Sequence, residues 1–194
     1  YGLVLYRFIA EFLRSRRTRF LALVLATVGG GFGWVLIFAG ALPPEFFIPE
    51  GFSFLILLGL PHLALARACL LAGILILWRT DKAGLVPTGS DALATVFAGV
   101  LWLIVGLAVP FYLVIVYAIL GAWGLAAWIR ERRFPTSLFI RAVIAAGLTL
   151  PLFLYNVVIF STNPALAQFS AQNLLPSPPP LHYLLAYLPI GLLA

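Results

Sequence analysis

The chain has 194 residues, of which 63% are hydrophobic and 9% charged, with a formal net charge of +6 and a mean hydropathy of +1.11. Soluble domains carry about 25% charged residues, so this composition excludes one and predicts an all-α, polytopic helical membrane bundle. The basic residues lie in short clusters between apolar runs, which marks one side of a polytopic protein and argues against nucleic acid as a partner. Cys69 is the single cysteine, which excludes an internal disulfide or a cysteine metal cluster.

In chain order, "YGLVLYRFIAEFL" (1–13) is either the tail of a span or a helix lying in the interface, with Arg7 and Glu11 spaced to pair on one face. "RSRRTR" follows, and residues 20–40 are long and apolar enough to cross. The glycines at 29, 30, 31 and 33 permit close helix approach in lipid. Residues 41–60 form a proline-broken loop without a basic residue, whose "FSFLILLGL" predicts a short interfacial or re-entrant helix. Pro61 suits the first turn of a span over 61–78, closed by "RTDK", and Ser90 or Asp91 is the expected cap of the next helix. Residues 92–128 carry no charge and, as one helix, would measure about 55 Å against about 30 Å of hydrocarbon. Pro110 therefore divides them into spans at 92–109 and 111–128. "RERR" (130–133) precedes a span over 137–160 that contains Pro151 and Asn156. In the loop 161–180, Asn163 followed by Pro164 predicts a capped short helix to about Leu174, and Pro178, Pro179 and Pro180 predict an extended stretch. A sixth span begins at 181 and is cut at 194. The chain starts at Tyr1, contains no Met and stops in an apolar run, which predicts a single transmembrane region (1–194) from a longer protein. The arginine-rich, Ala-, Leu-, Gly- and Pro-rich composition fits a GC-rich bacterial gene, so the expected location is a bacterial cytoplasmic (inner) membrane, with the lipid bilayer as first partner.

Orientation follows from charge. With "RSRRTR" in the cytoplasm, "RTDK" and "RERR" fall there too, and every basic residue except Arg7 and Arg67 lies on that side. The loops 41–60 and 161–180 and the Pro110 bend then face outward.

Arg67 lies about 9 Å into a span that enters from outside. Three readings are open: the side chain snorkels to the outer headgroups, it holds an anionic group such as a lipid phosphate, or it meets an internal partner such as Glu50. His62 and His182 stand at outer helix starts, where they can face one cavity; two histidines without a third ligand are a weak metal signal. Glu45 and Glu50 are the outward-facing acids, either solvated carboxylates or a general base or ligand for a divalent metal. Asn156, Asn163, Gln168, Gln172 and Asn173 add uncharged polar groups on that side.

Two stretches, "IPEGFSFLILLGLPHLALARACLL" (48–71) and "NPALAQFSAQNLLPSPPPLHYLLAY" (163–187), with the paired short helices around Pro110 between them, resemble C-type bacterial membrane glycosyltransferases that use polyprenyl-phosphate sugars. The resemblance implies many helices, outer loops with interfacial helices, a lipid-linked sugar donor and a catalytic acid on an outer loop. Glu45 and Glu50 are the acids in that place, Arg67, His62 and His182 the lipid-phosphate contacts, and no outer aspartate accompanies them. Two other classes stay open. A non-catalytic subunit of an energy-converting or photosynthetic complex would use His62 or His182 on a pigment and pack on other membrane subunits. A transporter segment would use the helix breaks at Gly29–Gly33 and Pro110.

Overall fold

A computed structural model describes residues 1–28, 37–40, 53–81, 89–172, 179–182 and 184. Among them the regular structure is helical: α1 Gly2–Ile9, α2 Arg16–Val28, α3 Ser53–Gly59, α4 Pro61–Asp81, α5 Gly89–Ala108, α6 Tyr112–Glu131, α7 Thr136–Thr162 and α8 Pro164–Gln172. Four helices, α4 to α7, are long and apolar enough to cross a membrane. They coincide with the expected spans at 61–78, 92–109, 111–128 and 137–160. Of the expected span at 20–40, residues 29–36 lie outside the described residues, as does most of 181–194.

The helix boundaries follow local chemistry. Pro61 occupies the first position of α4, where its missing N–H has no intrahelical acceptor to lose. Val109, Pro110 and Phe111 separate α5 from α6, because a proline there removes a helical donor and its ring clashes one turn back. Asn163 caps α8: its Oδ1 accepts from the backbone N–H of Ala165 at 3.0 Å and of Leu166 at 3.4 Å. Pro151 is held inside the 27-residue α7, as a neighbour-supported membrane helix allows.

Three expectations need correction. α5 begins at Gly89, so Ser90 and Asp91 lie in its first turn and do not precede it. Pro180 opens a helical turn, in which the His182 N–H donates to the Pro179 carbonyl at 2.9 Å, and does not continue an extended run. Glu11 does not pair with Arg7. α1 ends at Ile9, which takes Glu11 out of helical register, and its Oε1 accepts from Arg79 Nε at 2.9 Å and Nη2 at 2.6 Å.

That ion pair fixes the course of α1. Tyr1 meets Ser53 at one end, Phe12 stacks on Trp78 near the other, and Glu11 reaches Arg79. α1 therefore runs alongside α4, from the level of Arg67 to that of Arg79. α5 packs between α4 and α7. Its contacts are set by small residues facing large ones: Trp102, fully buried, lies over Gly73 and donates its indole N–H to the Leu70 carbonyl at 3.3 Å. Gly99 faces Ala145 and Leu148, and Gly106 faces Leu113 and Leu152. In lipid, where no water is released between apolar helices, such close van der Waals approach is the main source of association.

The alternation of α4 to α7 gathers the basic clusters at one end of the bundle and Arg67 at the other. These are called the basic end and the Arg67 end.

Candidate functional site

At the Arg67 end, four helices bring polar side chains together. Arg67, half-buried, sits on α4 beside the core residues Leu63, Ala66 and Leu70, so its stem lies against apolar surface while its head reaches the end of the bundle. Tyr112 is the first residue of α6, where the Pro110 bend places it, and its ring is buried. Arg67 Nε donates to the Tyr112 hydroxyl at 3.3 Å, and Nη1 to the Ser53 hydroxyl, at the start of α3, at 3.5 Å. The Tyr1 and Ser53 hydroxyls are 3.1 Å apart. The next turn of α3 is anchored by Ile56, 1% exposed, which holds Ser53 in place.

The chemistry of this group is compatible with an anion. A guanidinium supplies fixed charge and a planar fork of donors, and a hydroxyl that accepts from it can still donate onward. The Arg67 contacts to Tyr112 and Ser53 are long for hydrogen bonds, whereas charge-assisted bonds to a phosphate oxygen close to about 2.7–2.9 Å.

The remaining candidates are dispersed. His62 is exposed on the first turn of α4, and His182 is half-buried with a buried Nδ1 that has no hydrogen-bond partner among the described residues. No hydrogen bond among the described residues joins either histidine to Arg67. Gln168 is exposed on α8. Asn156 donates to the Leu152 carbonyl one turn back at 2.8 Å, which satisfies its amide within α7. Glu45, Glu50, Asn173 and the Gln172 side chain lie outside the described residues. Among the described residues no three His, Cys, Asp or Glu side chains group as ligands for a metal ion.

Sequence reading missed the hydroxyls of Tyr112, Ser53 and Tyr1. A tyrosine directly after a proline bend between two spans was the available signal, since tyrosine favours the membrane interface. It also missed a second polar group at the basic end. Arg141, fully buried in α7, donates to Thr95 Oγ1 on α5 at 3.5 Å and to Ser137 Oγ at 3.3 Å. The Thr95 hydroxyl also bonds to the Asp91 carbonyl at 2.8 Å. Between the two ends, α6 and α7 are joined by the hydroxyls of Tyr117 and Thr149, 2.8 Å apart.

No protein-family model, curated protein or solved structure matches the chain. The site must therefore be read from its own chemistry. The chain is an integral membrane protein by the length and apolarity of its helices.

Proposed function

We propose that this membrane protein holds the phosphate of a lipid-linked substrate at its Arg67 end, on the extracytoplasmic side. The observation that carries the reading is the convergence of Arg67, Tyr112, Ser53 and Tyr1 from four helices. A charged side chain placed within a span is costly to keep and marks function by default. The side assignment rests on the basic clusters at the other end, which the positive-inside rule places in the cytoplasm. A reporter fused after Gln172 that is active only in the cytosol overturns it.

The resemblance of residues 48–71 and 163–187 to polyprenyl-phosphate-sugar-dependent glycosyltransferases supplies the chemistry: sugar transfer from the lipid-phosphate donor, with Glu45 or Glu50 activating the acceptor. Arg67 would bind the departing lipid phosphate and stabilise the charge that builds on it. The test is retention and turnover of a polyprenyl-phosphate sugar by the full-length protein in detergent. Arg67→Ala is expected to weaken retention at least tenfold, and Tyr112→Phe less. Equal retention by wild type and Arg67→Ala removes the phosphate role, and unchanged turnover in a Glu45→Ala/Glu50→Ala variant removes the acids.

A further inference from the structure

The basic end carries a second feature, on the opposite side of the membrane from Arg67 and independent of the reading given to it. Between α6 and α7 runs an apolar groove of about 420 Å³. It opens where Gly121 and Gly124 leave the α6 surface bare, since a Cβ at either would meet nothing within 4 Å. Ala142 and Ala146 of α7 form the facing wall, and Trp128 and Phe134 border it near the hairpin. Tyr117, whose hydroxyl lies 2.8 Å from that of Thr149, lines its inner end. From Tyr117 to Trp128 the groove follows eleven residues of α6, about 16 Å. One leaflet of a hydrocarbon core about 30 Å thick is about 15 Å deep. The length of the groove is thus about the depth of one leaflet.

Its mouth is charged. The α6–α7 hairpin carries Arg132 and Arg133, both exposed, directly beside Phe134. Arg130 is already paired with Glu131 at 2.8 Å. A basic patch at headgroup depth above an apolar slot as deep as a leaflet is complementary to one class of molecule. We propose that this groove binds an anionic phospholipid from the leaflet at the basic end, with one acyl chain lying along Gly121 and Gly124 and the phosphate on Arg132 and Arg133. Anionic headgroups attract juxtamembrane arginines, and the chain fills a slot that otherwise leaves the walls without contacts.

The test uses the purified chain in mild detergent, offered phosphatidylglycerol or phosphatidylcholine and weighed intact by native mass spectrometry. The expected result is that phosphatidylglycerol is retained at least tenfold more than phosphatidylcholine, and that Arg132→Gln/Arg133→Gln abolishes the preference. Gly121→Leu/Gly124→Leu fills open space and is expected to lower retention of both lipids. A second measurement is independent of these variants: bromine on the acyl chains quenches tryptophan by contact. The Trp128 share of the emission, wild type minus Trp128→Phe, is expected to be quenched more by brominated phosphatidylglycerol than by the brominated choline lipid. Equal retention of the two lipids overturns the proposal, as does equal quenching. So does unchanged retention in the glycine variant, or a dimer that this variant converts to monomer, which would assign the groove to a second copy.

Discussion

The close backbone contact between α5 and α7 makes a sharp prediction about Gly99. A Cβ at this position would lie 2.8 Å from the Ala145 carbonyl oxygen, 3.1 Å from the Ala145 Cα and 2.7 Å from Leu148 Cδ1. The leucine methyl can rotate away, but the carbonyl belongs to the α7 backbone. Ordinary contact begins at 3.4 Å, so Gly99→Ala must part α5 from α7 by about 0.6 Å. A gap of that size forfeits about a quarter of the dispersion well at each contact along the seam, and overpacking of this kind costs about 1–3 kcal/mol. Thr95 lies one turn before Gly99 on α5, and Arg141 one turn before Ala145 on α7. Their contact, already at 3.5 Å, would pass out of hydrogen-bonding range and add about 1 kcal/mol. The expected loss is thus about 2–4 kcal/mol, measured by reversible unfolding in mixed micelles with tryptophan emission as readout. Gly147→Ala makes the same chemical change in α7 where a Cβ meets nothing within 4 Å, and is expected to be neutral or up to about 1 kcal/mol stabilising. Unfolding free energies for the two variants that agree within about 0.5 kcal/mol would refute the close-packing account.

Other outcomes follow from the polar contacts. A double-mutant cycle with Tyr117→Phe and Thr149→Val should return a coupling of about 0.6 kcal/mol, the usual worth of an interhelical hydrogen bond in a membrane; a coupling of zero would mean the hydroxyls do not meet. Glu11→Gln should cost less than about 1 kcal/mol and lose its effect at high salt, because the Arg79 side chain is 54% exposed. At the basic end, Arg141→Met should be nearly neutral in unfolding assays, since it removes a buried charge while keeping volume. Thr95→Val, which leaves the guanidinium and takes one of its acceptors, should cost about 1–3 kcal/mol; the reverse order would show that Arg141 is itself a net stabiliser.

The four long helices were legible because their signals are local and redundant. Apolar runs of membrane length, Pro61 at a helix start and Pro110 between two runs leave little freedom to the chain. The Asn163–Pro164 cap was legible for the same reason. Pairing between segments distant in sequence escaped. Glu11 has Arg7 four residues away, and helix periodicity alone recommends that pair. The turn after Ile9 redirects Glu11 to a residue far along the chain, Arg79. Likewise Arg141 reads as one more residue of a basic cytoplasmic group, because sequence position gives its depth but not the face it occupies. That face follows from Gly99 and Ala145, whose close approach turns the same side of α7 toward α5.

The two intramembrane arginines obey one geometry and reach different ends. Arg67 and Arg141 each lie in the second turn of a span, and in each the side chain tilts back toward its own helix start. Each is met by hydroxyls: Tyr112 and Ser53 for Arg67, Thr95 and Ser137 for Arg141. The neighbouring helices set how far each guanidinium is enclosed. Arg141 is covered because Gly99 lets α5 and α7 close over it, leaving 0% of its surface exposed. Around Arg67, α3 is only seven residues long and α6 begins at Tyr112 itself. Among the described residues neither neighbour carries a helix beyond the guanidinium, and Arg67 is half-buried. An enclosed guanidinium organises the packing of the helices around it, whereas a half-open one beside two tyrosine hydroxyls and a serine is accessible to a ligand. The difference in access, and not in residue type, supports Arg67 over Arg141 as the residue of the proposed phosphate site.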